Sequence, residues 1–115
     1  MWLFLSDAFL SIVADNGNPE RLLVRARQAG DIEQVFPSAQ VSHTPDHDYA
    51  YRAFLPRAEV AAAIAAQVQT IQYPNFKNSV ADPDRHARYF NAYTAMLGLG
   101  RQPNGRRLNQ PPLQY

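Results

Sequence analysis

Short apolar segments with alternating polar positions fill the first half of the chain, and this pattern is typical of strands. The first two segments are separated only by the turn-forming Ser6-Asp7-Ala8, and together they predict a tight antiparallel hairpin. In the third segment, RLLVRAR, two sets of alternating positions face opposite ways, as they do on a strand with one face buried. The predicted strands cover residues 2–5, 8–14, 21–27, about 39–43 and 49–55. In the last of these, Arg52 and Phe54 alternate onto one face, and the opposite, core-facing set is Tyr49, Tyr51, Ala53 and Leu55.

Three segments show helical spacing instead. The first, residues 30–36, is short because Pro37 follows it. The third begins at Asp82-Pro83, a favourable N-cap followed by a proline at the first helical position, and Gly98 ends it. The second, residues 56–71, carries an apolar stripe formed by Val60, Ile64, Val68 and Ile71.

The order β-β-β-α-β-β-α-α predicts an α+β fold. Because strands that follow one another tend to pair, we expect a two-layer sandwich with a mainly antiparallel sheet of about five strands and two longer helices on one face. Part of the order is ferredoxin-like, with a right-handed crossover from the third strand to the fourth if these two are parallel. Residues 1–98 form the single domain, and residues 99–115 form a Gly/Pro/Arg-rich tail.

Composition and charge narrow the functional classes. The chain is 46% hydrophobic and 18% charged, which is globular composition, and it has no cysteine for disulfides, thiolate metal sites or cysteine nucleophiles. Its net charge of +1 hides a body, residues 1–97, with eight basic and ten acidic residues and a tail with three arginines. The tail is expected to be ordered only by a partner, as a strap across a second subunit or as a basic arm on an acidic or phosphate surface.

The N-terminal segment lacks the features of a signal peptide. It has no basic residue before its first apolar run, and Asp7 interrupts that run. No apolar run approaches the ~20 residues that span a bilayer. We therefore expect a cytoplasmic protein with no membrane partner. The low net charge argues against nucleic acid as the main partner, although the basic tail leaves that alternative open.

Four segments of the sequence are similar to one family. They read MWLFLSDAFLSIV, LLVRAR, TPDHDYAYR and IQYPNFKNSV, and they cover most of residues 1–97. They resemble a family of small uncharacterised proteins of bacteria and their phages, in which Asp-Gly is typical at the position of Asp7-Ala8. Because no activity is assigned to that family, the resemblance implies no catalytic residue. It implies an accessory role in a mobile element, for example as an inhibitor of a host defence system.

Arg25, Arg27 and Arg52 form the first candidate binding group, because they fall on the strand faces opposite the core stripe. If the third and fifth strands lie near each other, the sheet presents an arginine patch with Phe54 or Leu23 inside it. Arginine beside an exposed aromatic ring can bind phosphate, stacked bases or an acidic protein surface. The alternative is that these arginines are solvated and form ion pairs with Asp7, Asp15 or Glu20, each worth less than ~1 kcal/mol.

The connection between the two long helices supplies a second candidate group. Tyr73, Asn75 and Lys77 could line a pocket in which Lys77 binds an anion or, if desolvated, acts as a nucleophile. In the alternative, Tyr73 and Phe76 anchor the connection in the core and Lys77 is solvated.

The last helix suggests a protein contact. Tyr89, Tyr93 and Met96 exceed what one apolar stripe needs, which favours an interface and a possible homodimer. If so, Tyr89→Asp should leave the fold intact. The stripe itself, spaced i, i+4, i+7 and i+11, consists of His86, Phe90, Tyr93 and Leu97.

The densest group of potential metal ligands lies between the fourth and fifth strands. Imidazole and carboxylate groups at His43, Asp46, His47 and Asp48 suit zinc, manganese or nickel, with His86 as a possible further ligand. This loop would serve a small metal-dependent phosphoester hydrolase. The alternative is a polar hairpin loop whose carboxylates accept hydrogen bonds from turn N–H groups.

No catalytic motif accompanies these groups. The sequence has no glycine-rich phosphate loop, no nucleotide-binding fingerprint and no recognisable nucleophile context around its serines. We therefore expect a non-enzymatic protein-binding module without a cofactor, which docks a protein partner on the solvent face of the sheet or on a helix edge. The metal-dependent hydrolase is the alternative.

Overall fold

The computed structural model describes residues 1–100, which form a five-stranded sheet with two longer helices. The α+β class is confirmed. The tail beyond Gly100, with its predicted strap or basic arm, lies outside the described residues. The elements in chain order are β1 (Trp2–Phe4), β2 (Phe9–Ala14), β3 (Arg21–Ala26), α1 (Asp31–Val35), β4 (Ser42–His43), β5 (Tyr51–Pro56), α2 (Arg57–Gln69) and α3 (Pro83–Met96), with a 3-10 turn at Lys77–Ser79.

The strand order is β1-β2-β3-β5-β4, and every neighbouring pair is antiparallel. The last strand of the sequence, β5, therefore enters between β3 and β4. The β3 and β4 strands are parallel to each other, as a crossover requires, but β5 separates them. This insertion brings the third and fifth strands side by side, which is the condition that the predicted arginine patch needed.

Two strand boundaries differ from the predictions by more than one residue. The fourth strand is only Ser42–His43, and Tyr49 lies before β5 rather than in it. The amide of Thr44 donates to the carbonyl of Ala50 at 2.7 Å, which closes the loop between these strands. Tyr49 therefore does not follow the alternation of β5. It packs on the opposite face of the sheet from Tyr51.

The hydrophobic core lies between one face of the sheet and the helices α1 and α2. Leu10 and Val24 from the sheet, and Ile32 and Val60 from the helices, are fully buried, and each contributes about 1.5–3 kcal/mol on burial. The predicted stripe of α2 is only partly correct. Val60 and Ile64 pack against the sheet, whereas Val68 and Ile71 stay exposed beside a cavity of about 790 Å³.

Helix α3 packs against the end of the sheet near the β1–β2 turn. Its N-cap is the predicted one, since the Asp82 carboxylate accepts from the amide of Arg85 at 2.9 Å. The Arg85 guanidinium binds the buried carboxylate of Asp31 at 2.6 Å, and the hydroxyl of Tyr89 donates to the carbonyl of Ala8 at 2.9 Å. None of the helices within residues 1–100 has the length and apolar character needed to cross a membrane.

Candidate functional site

The sheet has a second face, opposite α1 and α2, which we call the open face. The strand registers place one row of side chains across all five strands on this face. The neighbouring row, which faces the core, is largely apolar and includes Leu3, Leu10 and Ala26. The open-face row consists of Trp2, Ser11, Arg25, Arg52 and Ser42.

Arg25 and Arg52 stand directly opposite each other on β3 and β5. A guanidinium N–H of Arg25 donates to Oγ of Ser11 at 2.8 Å, and Nε of Arg52 donates to the carbonyl of Tyr49 at 3.2 Å. Within residues 1–100 neither guanidinium forms an ion pair with a carboxylate. Nε of Arg25 is buried and has no hydrogen-bond partner in that part of the chain.

Tyr49 holds these arginines together. Its side chain is buried, with 6% of the residue exposed, and its ring contacts two guanidiniums. The Cζ atoms of Arg25 and Arg27 are 4.5 and 4.4 Å from the ring centroid. We call Arg25, Arg27 and Arg52, gathered around Tyr49, the arginine cluster.

One carboxylate serves this cluster. Asp48 binds Arg27 at 2.8 Å, and this hydrogen bond raises the pKa of the Arg27 guanidinium above its ordinary value. Because residues 1–100 offer no second carboxylate to the cluster, two of its three positive charges are uncompensated. None of the three arginines pairs with Asp7, Asp15 or Glu20, the partners of the alternative expectation: Arg27 pairs with Asp48, and Arg25 and Arg52 have no carboxylate partner within residues 1–100.

Exposed aromatic rings flank the cluster. Trp2 is 67% exposed at the β1 end of the row, and Phe54 is 52% exposed on β5. The guanidinium of Arg21 lies 4.8 Å from the Phe54 ring centroid and binds Asp15 at 2.7 Å. Hydrogen bonds from the amide of Gly17 and from Arg21 hold the pKa of Asp15 below its ordinary value. The open face thus combines fixed cations with accessible rings.

The second predicted group is not brought together. Tyr73 lines the cavity of about 790 Å³ at the end of α2, whereas Asn75 and Lys77 line a separate groove of about 730 Å³ along α3. The ammonium of Lys77 lies 4.4 Å from the ring centroid of Tyr93, which is a cation–π contact. Three residues close in sequence therefore serve two different surfaces.

The predicted exposure of Tyr89 is wrong. Tyr89 is only 7% exposed, and its ring lies between those of Phe4 and Phe76, with centroids 5.1 and 5.8 Å away. Phe90, expected on the inward stripe, is exposed instead. The physical reason is that Asp31 binds Arg85, which turns the face carrying Arg85 and Tyr89 toward the sheet.

Met96 and Tyr93 line the groove along α3, and Met96 is exposed. An interface on the last helix therefore remains compatible with the positions of these two residues. The homodimer stays a prediction.

The candidate metal ligands of the loop at residues 43–48 are not brought together in the described part of the chain. Residues 1–100 contain no group of three or more His, Cys, Asp or Glu residues placed to hold a metal ion. The His43 ring stacks on Tyr51 with centroids 4.6 Å apart, and Asp48 binds Arg27. His86 lies on α3, with Nδ1 3.4 Å from the carbonyl of Val80. His43, Asp46, His47 and Asp48 therefore belong to a loop whose structural effect is to place Tyr49 on the open face.

Sequence reasoning missed three members of the site. Ser11 lies in an otherwise apolar strand and has no sequence signal of its own. Only the strand register places it beside Arg25. Trp2 joins through the same row, and Tyr49 was assigned to the wrong face. Comparisons of the chain with family models, curated proteins and solved structures give no match. The resemblance described above stays a prediction.

Proposed function

We propose that the protein is a non-enzymatic protein-binding module whose open face receives a negatively charged segment of a partner protein. The observation that carries this proposal is the pair of uncompensated guanidiniums, Arg25 and Arg52, directly opposite each other in the sheet. Like charges in directly opposed cross-strand positions destabilise a sheet. An anionic group from a partner offsets this repulsion. Relief of the repulsion therefore adds to the free energy of binding.

The surroundings of the pair favour a protein partner. Tryptophan and arginine are enriched among the residues that contribute most to protein interfaces, and both occur on this face. The body of the chain, residues 1–97, has more acidic than basic residues, so it gives no long-range attraction to an extended polyanion. A local anionic segment on a protein needs only the local excess of positive charge that the cluster supplies.

The setting belongs to the same proposal. We place the protein in the cytoplasm, as an accessory protein of a mobile element whose target is a host protein, for example a component of a defence system. The resemblance to small bacterial and phage proteins supports this setting. A homodimer through the α3 groove is compatible with it, because that groove lies apart from the arginine cluster.

The test compares two double variants with equal changes of charge. Arg25→Gln/Arg52→Gln removes the opposed pair, and Arg57→Gln/Arg88→Gln removes two exposed arginines outside the cluster. Proteins captured from bacterial lysate by all three forms are identified, purified and titrated against each form by calorimetry. We expect one purified partner to bind the parent protein and the control equally, and the cluster variant at least about tenfold more weakly. Equal affinity for all three forms would place the interface elsewhere.

A further inference from the structure

We infer that the arginine cluster is a binding site for a phosphate monoester carried by a side chain of the partner protein. This inference rests on the proposed function, because it specifies the anionic group that the partner presents to the open face. It is carried by three observations: the charge count, the fixed geometry of the donors and the acidic border of the site.

The charge count favours a dianion. Three guanidiniums and one carboxylate leave two positive charges uncompensated within residues 1–100. A carboxylate carries one negative charge, whereas a phosphate monoester carries about −1.5 to −2 at neutral pH. The phosphate group therefore matches the charge of the cluster more closely than an aspartate or glutamate side chain does.

The donors are held in place before any ligand arrives. Arg25 is stacked on Tyr49 and bonded to Ser11, and Arg52 is bonded to the Tyr49 carbonyl. Directly opposed residues have Cβ atoms about 4.5–5.5 Å apart, so one tetrahedral anion can accept from both guanidiniums.

The border of the site selects the source of the phosphate. Asp48 and Asp15 lie at the two sides of the open face through their bonds to Arg27 and Arg21. The successive phosphates of a nucleic acid would meet these carboxylates, whereas a single phosphorylated side chain contacts only the cluster. The exposed rings of Trp2 and Phe54 offer apolar contacts to the residues beside such a side chain.

The test is a titration of the full ¹⁵N-labelled chain with three probes, followed by NMR. The probes are N-acetyl-O-phosphoserine amide, inorganic phosphate and N-acetylglutamate amide. We expect the side-chain N–H signals of Arg25 and Arg52 to move, and the phosphoserine probe to bind about tenfold more tightly than the glutamate probe.

Matched variants separate geometry from charge. Arg25→Gln and Arg52→Gln should each abolish phosphoserine binding, while Arg57→Gln and Arg88→Gln, which remove the same charge elsewhere, should leave it unchanged. Arg25→Lys/Arg52→Lys keeps the charge but not the planar donor fork, so it should bind more weakly than the parent chain.

Three results would overturn the inference, and they differ in what else they affect. Equal affinity for the phosphoserine and glutamate probes, or no binding of either, overturns the phosphate site; if the purified partner still depends on Arg25 and Arg52, the proposed function stands. Phosphoserine binding that survives in Arg25→Gln/Arg52→Gln also overturns it. A 5′-phosphorylated single-stranded oligonucleotide that binds more tightly than a phosphoserine peptide overturns the protein source.

Discussion

Two buried tyrosines, Tyr49 and Tyr89, each contact arginine side chains, but the charge balance around them differs. Tyr89 contacts Arg85, whose guanidinium makes two hydrogen bonds to the carboxylate of Asp31. Tyr49 contacts Arg25 and Arg27, and its carbonyl accepts from Arg52, yet only one carboxylate is present. One centre is neutral overall, and the other carries excess positive charge.

The difference separates a structural centre from a binding centre. At the neutral centre, burial alone would lower the pKa of Arg85, but the hydrogen bonds to Asp31 and Tyr89 outweigh it and raise that pKa. Asp31 also accepts from the amide of Phe9 at 2.9 Å, so the pair ties α3 to the sheet. At the positive centre only Arg27 has a carboxylate partner within residues 1–100, and the remaining positive charge is available to a partner protein. Variants at each centre test this contrast.

Tyr89→Asp should have the largest effect. It removes a ring packed between Phe4 and Phe76 and places a charge in a buried position, so we expect a loss of at least about 4 kcal/mol in the free energy of unfolding. Urea denaturation followed by circular dichroism measures the loss. Phe90→Asp, at an exposed position of the same helix, is the control. A stable Tyr89→Asp protein would restore the surface position that the sequence alone suggested.

Asp31→Asn should follow, with a loss of about 3 kcal/mol, because it leaves the buried guanidinium of Arg85 without its carboxylate. The same urea experiment measures it. Asp84→Asn is the control, since it breaks an exposed pair with Arg88 worth less than about 0.5 kcal/mol. Similar losses in both variants would contradict the structural role of the neutral centre.

Arg52→Gln should change the free energy of unfolding by less than about 1 kcal/mol, in either direction. It removes one hydrogen bond to Tyr49, but it also removes the repulsion from Arg25. Urea denaturation of Arg52→Gln and Asp31→Asn under the same conditions compares the stability contributions of the two centres directly. A destabilisation as large as that of Asp31→Asn would make the cluster a structural centre as well.

High pH should produce the smallest effect, through Tyr89 at the neutral centre. Burial raises the pKa of Tyr89 above the ordinary value of 10.0, although Arg85 opposes this. Since the unfolded chain loses this proton first, the stabilisation is complete below about pH 10 and is lost as the pH rises through the higher folded pKa. Melting temperatures measured at increasing alkaline pH should fall less steeply for Tyr89→Phe than for the parent chain. Identical slopes would contradict the prediction.

Local patterns predicted much of the fold, because period-two alternation and helix capping act within a few residues. The N-cap at Asp82 and the outward side of Arg25 and Arg52 follow from neighbours in sequence. The strand order does not follow from such neighbours, because the sequence of β5 contains no pattern that specifies pairing with β3. The pairing of Asp31 with Arg85 was equally invisible, since these residues are 54 positions apart.

The candidate site was predicted in part for the same reason. Its arginines were identified by alternation, but Tyr49 is in phase with Tyr51 in the sequence and was assigned to the core side. The closure of the loop between Thr44 and Ala50 breaks that phase, and a pattern of apolar positions contains no information on it.

The late arrival of β5 also has a consequence for the chain during its synthesis. Thirty residues separate the end of β3 at Ala26 from the end of β5 at Pro56, which takes about 2 to 6 seconds to translate. For that interval the edge of β3 is unpaired and open to pairing with other nascent chains. Arginines at positions 21 and 25, and at 27 directly after the strand, repel a second copy of the same segment. Arg25 and Arg27, two of the charges proposed to recognise a partner in the folded protein, therefore also oppose aggregation of the unfinished sheet.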